Sequence, residues 1–171
     1  MKTAKGAQRA PASIAPRNGR SSLRTLKLEV QYASASRNVP SQASFTRWVR
    51  AALRANAQIT LRLVGLQEGR QLNRTYRGRD YATNVLTFIM RDRAPYAGDL
   101  ALCTPVVTRE ARAQHKDVTA HYAHLTVHGV LHLQGWRHDK QSDAVAMEKL
   151  ETRILKRMGY PDPYAATRLH G

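Results

Sequence analysis

Three histidines close together in the C-terminal third of the chain have the spacing of a metal site. His128 and His132 are four residues apart, so on a helix both imidazole rings lie on one face, one turn apart. Gly135 permits a sharp turn, because glycine tolerates left-handed backbone angles, and this turn would bring His138 back as a third ligand. Three histidines leave the fourth position of a tetrahedral ion open, which is typical of catalytic rather than structural zinc.

Two further histidines precede this trio at helical spacing, at positions 121 and 124. His124 is also four residues before His128, so spacing alone permits a ligand pair at 124 and 128. We favour the set 128, 132 and 138 because only that set includes the glycine turn. His121 and His124 are then expected to support the ligands from behind or to face solvent.

The same histidine spacing occurs in the metzincin proteases, where a glutamate after the first histidine is the general base. Gly129 occupies that position here. A metzincin-like metallopeptidase would therefore lack its base, which weakens that hypothesis. Cleavage of RNA is less affected, because the ribose 2′-hydroxyl can serve as an internal nucleophile beside a metal ion.

The charge of the chain points to a polyanionic partner. Lysine and arginine number 28 against 12 acidic residues, which gives a formal net charge of +16. Such a field attracts nucleic acid. Cleavage of a phosphodiester builds negative charge that one metal ion and one arginine can stabilise together, since arginine binds phosphate through two N–H groups.

The elements that must position these residues are visible as periodic patterns. Alternating or continuous apolar runs predict four strands, at about 26–32, 59–63, 83–88 and 99–103. Apolar residues at helical spacing predict five helices, namely one capped by Ser41, one over 67–76, one from 104 to about 116, and two over 119–133 and 142–158. Strands first and helices later predict an α+β fold in a single domain.

The two ends of the chain are predicted to lie outside this domain. Residues 1–24 carry no acidic residue and several glycines and prolines, so we expect a basic, disordered tail. A tail of this composition could also be an organellar transit peptide. The chain has one cysteine, which suits a reducing compartment, and no apolar run long enough for a membrane span. We therefore expect a cytoplasmic protein without a membrane partner.

Two longer motifs resemble those of the YbeY family of bacterial endoribonucleases. The first is HLTVHGVLHLQGWRH, which ends at His138, and the second is LNRTYRGRD followed by TNVLTF, within residues 72–88. Shorter blocks agree at Gly98-Asp99-Leu100 and at GYPDPY, residues 159–164. The resemblance covers about residues 26–164.

This resemblance implies an α+β fold with a four-stranded mixed sheet and one zinc ion on His128, His132 and His138. It places the functional arginine of the family at Arg77. It also implies cleavage of single-stranded RNA in maturation of the 3′ end of small-subunit ribosomal RNA and in ribosome quality control. A small-subunit ribosomal protein and a ribosome-associated GTPase would be partners. The zinc-dependent endoribonuclease domain would span 25–164, followed by a tail at 165–171.

Some residues depart from the family pattern or have two interpretations. Arg137 replaces the carboxylate that usually precedes the third histidine. Cys103 lies in an apolar strand, which predicts a buried, inert thiol. Glu148 and Glu151 lie on the last predicted helix, where we expect solvated side chains. A third hypothesis is a non-catalytic assembly factor in which zinc only stabilises the fold.

Overall fold

A computed structural model describes residues 24–169 of the chain. The predicted N-terminal tail therefore lies outside the described residues, except for Arg24. The elements in chain order are β1 (Leu26–Tyr32), α1 (Gln42–Ala52), β2 (Ala57–Val64), α2 (Leu66–Arg77), β3 (Val85–Arg91), β4 (Tyr96–Cys103), α3 (Thr104–Ala113), α4 (Val118–Leu133), α5 (Gln141–Arg157) and α6 (Ala165–Arg168).

The four strands form one mixed sheet in the order β1-β2-β4-β3. β1 and β4 both run parallel to β2, whereas β3 pairs antiparallel with β4 at one edge. The predicted α+β fold with a four-stranded mixed sheet is thus confirmed. The structure adds the short helix α6, inside the segment that was predicted to be a C-terminal tail.

Three predicted boundaries were wrong by several residues. The predicted connection between the third and fourth strands is shorter than expected, because Ile89 pairs with Gly98 and Arg91 with Ala97 in the hairpin ladder. Backbone hydrogen bonds continue β3 as far as Arg91 and begin β4 at Tyr96, so cross-strand pairing rather than the apolar pattern sets these limits. The helix predicted to reach about residue 116 ends at Ala113, because His115 has a φ of +53° that a helix cannot continue through.

The α1 helix begins as predicted, with the Ser41 side chain accepting a hydrogen bond from the Ser44 backbone N–H. Its apolar face is buried against β1 and the central helix α4. The largest buried residues of this core include Phe45, Trp48 and Tyr122, whose rings meet edge to face. This core fixes α4 against the sheet.

The α4 helix carries the two closest histidines of the trio and lies against β3 and β4. Gly129 makes this close approach possible: a Cβ atom there would lie 2.4 Å from Leu100 Cδ2 and 3.4 Å from Thr87 Oγ1. The glycine face of α4 therefore contacts the sheet, and His128 and His132, one residue before and three residues after Gly129, lie to one side of that contact. None of the helices between residues 24 and 169 is long and apolar enough to cross a membrane.

Candidate metal centre

The structure brings together the three histidines that the sequence pattern selected. His128 and His132 lie one turn apart on α4 with their Nε2 atoms 2.9 Å apart. Gly135 has a φ of +93° in the turn that follows the helix, and this turn returns His138 to the other two. One ligand nitrogen from each of the three residues lies within 4.8 Å of the others.

This arrangement fits one tetrahedral metal ion after a small adjustment. Two nitrogen ligands at the usual zinc–nitrogen distance and tetrahedral angle are about 3.3 Å apart. The 2.9 Å between the Nε2 atoms of His128 and His132 is therefore a few tenths of an ångström short. His138 is exposed at the end of the trio, so the site opens to solvent on its side.

Hydrogen bonds at the far side of two rings direct the Nε2 lone pairs toward the site. His132 Nδ1 lies 2.7 Å from the Trp136 carbonyl oxygen, and His128 Nδ1 lies 2.6 Å from Glu151 Oε1. Because both oxygens only accept, each Nδ1 must carry the proton. In the neutral ring, Nε2 then carries no proton and can bind a metal.

Glu151 is the functional side chain that the sequence analysis missed. We expected it to be solvated, and this was wrong: it has no exposed surface. Its Oε1 accepts from His128, and its Oε2 accepts from His124 Nε2 at 2.8 Å and from the Tyr164 hydroxyl. A signal existed, since Glu151 follows Met147 by four residues and shares the buried face of α5 with it.

The electrostatics of the site favour a neutral His132 beside an ionised Glu151. Burial raises the pKa of Glu151, but hydrogen bonds from His124 and His128 outweigh it and lower that pKa to about 2. Burial, followed by the charge of His128, lowers the pKa of His132 to about 4. His132 is therefore neutral at physiological pH, the form in which its Nε2 can bind a metal ion.

The two upstream histidines are not part of the trio. His124 is buried and donates to Glu151. Of our two expectations for it, support of the ligands is therefore confirmed, and exposure to solvent was wrong. His124, His128 and Glu151 are also close enough to form a second metal group. However, His124 and His128 contact two different oxygens of Glu151 at 2.8 Å and 2.6 Å, and the Nε2 atom of His128 lies with the trio instead. His121 is buried further away and contacts Glu110 at 2.9 Å.

Arg77 lies on the opposite side of the edge strand β3 from α4. It is the exposed last residue of α2, followed by Gly78 in the left-handed conformation. The neighbouring Tyr76 ring packs against Phe88 at 4.9 Å between centroids, while the next strand residue, Thr87, faces Gly129 on α4. Arg77 makes no ion pair among residues 24–169, and its role at a phosphate stays a prediction.

Two further residues of the quoted motifs, Asn84 and Trp136, have structural roles, as does Cys103. Asn84 donates to the Glu110 carboxylate at 3.1 and 3.2 Å and accepts from the Val85 N–H. Cys103 is buried, as predicted, and burial raises the pKa of its thiol. Trp136 packs partly against the core, and the Arg54 guanidinium lies over its ring at 5.9 Å.

Comparisons with known proteins agree on one family. The family model described as Endoribonuclease YbeY matches residues 29–159. A Nitrosomonas eutropha protein named Endoribonuclease YbeY is 56% identical over 137 residues, 80% of this chain and 97% of its own length. One of the same name from Aromatoleum aromaticum is 56% identical over 143 residues, 82% of this chain and 93% of its own.

A solved structure shares the fold. The solution structure of a Thermotoga maritima protein aligns with a TM-score of 0.53 and 19% identity, covering 84% of this chain and 93% of the other. At that identity the likeness extends to the fold alone.

Proposed function

The chain belongs to the YbeY family, and on that premise we propose that it is a zinc-dependent endoribonuclease that cleaves single-stranded RNA. The observation that carries the proposal is the convergence of three imidazoles, of which the two on α4 are oriented by hydrogen bonds at Nδ1 with Nε2 toward the site. Three histidines with an open side are the ligand set of catalytic zinc. When bound, zinc would supply positive charge to polarise the phosphodiester.

The substrate class follows from charge and family. A net charge of +16 favours RNA over a neutral or basic substrate. Within that class, we propose the 3′ end of small-subunit ribosomal RNA as the substrate and ribosome quality control as the wider role. A small-subunit ribosomal protein and a ribosome-associated GTPase are the proposed partners, and the cytoplasm is the proposed location.

Arg77 is the proposed second positive group. Tyr76 and Gly129 contact neighbouring residues of β3 from opposite faces. Because β3 is the edge strand, the Arg77 side chain would extend round that edge to meet a phosphate held near His128. Its two N–H groups would then bind non-bridging oxygens as negative charge develops.

The test is RNA cleavage together with metal analysis on purified protein. Wild type should bind one equivalent of zinc and cleave a single-stranded ribosomal RNA fragment, and His128→Ala should lose both properties. Equal cleavage by His128→Ala would show that the activity comes from a contaminating nuclease and would refute the proposal.

Arg77 is tested separately with a matched control. Arg77→Glu should slow cleavage with unchanged zinc content. Arg112→Glu makes the same change of charge on α3, beside the opposite end of α4, and should have a smaller effect. If the two variants lose the same fraction of cleavage activity, Arg77 contributes only to the overall positive charge. Loss of zinc in Arg77→Glu would show a structural role instead.

The structure gives no support to a metallopeptidase. Gly129 stands where a metzincin has its base, and it faces Leu100 rather than the trio. Glu151 has no exposed surface and already accepts three hydrogen bonds, so it cannot replace that base. The non-catalytic assembly factor is tested by rescue: a folded His132→Ala variant that fully supports ribosome maturation would favour it over catalysis.

A further inference from the structure

The segment Gly159–Tyr164, which contains the GYPDPY motif, has no assigned role in the proposed function. Gly159 leaves α5 with a φ of +89°, and the chain then turns back along that helix. Asp162 Oδ1 accepts from the Tyr164 backbone N–H at 2.8 Å and from the Thr152 hydroxyl at 3.3 Å. Asp162 Oδ2 also pairs with Arg168 at 2.6 Å. These bonds place Tyr164 over α5.

The Tyr164 side chain reaches the hydrogen-bond network behind the trio. Its hydroxyl donates to Glu151 Oε2, and the same hydroxyl lies 3.1 Å from His124 Nε2. Its ring packs edge-on against the His124 ring with centroids 5.1 Å apart. The hydroxyl is therefore one of only three donors within residues 24–169 that hold the buried carboxylate of Glu151.

We propose that Tyr164 is a positioning residue for the metal centre, acting through Glu151 on His128. This inference rests on the proposed zinc site. A carboxylate that orients a ligating histidine must itself be fixed, and losing such a partner weakens metal binding. Without the hydroxyl, Oε2 keeps only its bond from His124, so Glu151 can rotate away from His128.

A tyrosine in the same segment provides a matched control. The Tyr160 hydroxyl accepts from Trp48 Nε1 at 3.0 Å, and its ring contacts α1 through Trp48 and Arg47. It has no contact with Glu151. Tyr160→Phe and Tyr164→Phe therefore remove the same group from the same motif, but only the second removes a donor to the carboxylate.

The experiment measures zinc affinity of the full chain by competition with a chromogenic chelator. Tyr164→Phe should raise the zinc Kd by about tenfold, the lower end for loss of an outer partner, whereas Tyr160→Phe should match wild type. The melting temperatures of the two metal-free variants measure how much each substitution destabilises the fold without any contribution from zinc. Asp162→Ala, which removes the acceptor of the Tyr164 backbone N–H without touching Glu151, should shift the zinc Kd in the same direction.

The outcomes separate this inference from the function on which it rests. A wild-type chain that binds no zinc refutes the zinc site itself. If wild type binds zinc and Tyr164→Phe has the wild-type Kd, the inference alone is refuted. If Tyr164→Phe does not fold, an unchanged zinc Kd in Asp162→Ala refutes the inference equally. The positioning role is supported if Tyr164→Phe has a raised zinc Kd while its melting temperature equals that of Tyr160→Phe.

Discussion

Replacement of Glu151 by glutamine should weaken zinc binding although the side chain keeps its size. The carboxylate accepts from His128 on one oxygen and from His124 and Tyr164 on the other. A glutamine has one acceptor oxygen and one donor NH₂ group. If its oxygen faces the pair of donors, its NH₂ faces His128 Nδ1, which must then accept.

That reversal moves the proton of His128 to the wrong nitrogen. With Nδ1 accepting, the neutral ring carries its proton on Nε2, the atom 2.9 Å from His132 Nε2 and directed at the metal position. The alternative amide orientation leaves His124 and Tyr164 facing an NH₂ group in a buried site, which is also unfavourable. In either orientation the supporting network is broken.

The expected magnitude follows from outer-shell substitutions in other metal sites. Loss of such a partner weakens metal affinity about 10- to 100-fold, which is roughly 1.4 to 2.7 kcal/mol. The assay is a zinc competition titration of wild type, Glu151→Gln and Glu148→Gln. Glu148 lies one turn earlier on α5 and loses the same charge without a contact to the trio. Equal zinc Kd values for the two variants would refute our reasoning.

Three further predictions test the packing, the electrostatics and the substrate class. Gly129→Ala should lower the free energy of unfolding in urea, because overpacking against Leu100 costs about 1–3 kcal/mol and the gain in helix propensity is at most about 1 kcal/mol; no loss would contradict the close approach. In metal-free protein the lowered pKa of His132 means that only the unfolded chain binds its proton between pH 6.5 and about 4. Stability should therefore fall as pH drops through that window, and less so in His132→Gln. Binding of single-stranded RNA should weaken with salt, and Arg77→Ala should reduce the log–log slope by about 0.7 if Arg77 contacts one phosphate.

The trio of histidines could be selected from the sequence because its geometry is local. The period of the helix places His128 and His132 on one face, and Gly135 supplies the turn to His138, all within eleven residues. The strands and most helix limits were likewise predicted from periodicity over short windows. The sequence also shows that Gly129 occupies the position where a metzincin has its base. Only the structure shows that this glycine faces Leu100.

Only the tertiary structure shows which buried side chains support the three histidines. Glu151 is 23 residues from His128 and Tyr164 is 40 from His124, and no local pattern links them. A carboxylate on a helix is normally solvated, and this one is buried because donors from α4 and from the segment after α5 converge on it. Similarly, the contacts of Tyr76 with Phe88 and of Gly129 with Leu100 join residues of different elements. Such long-range neighbours depend on packing between elements, which short-range periodicity does not encode.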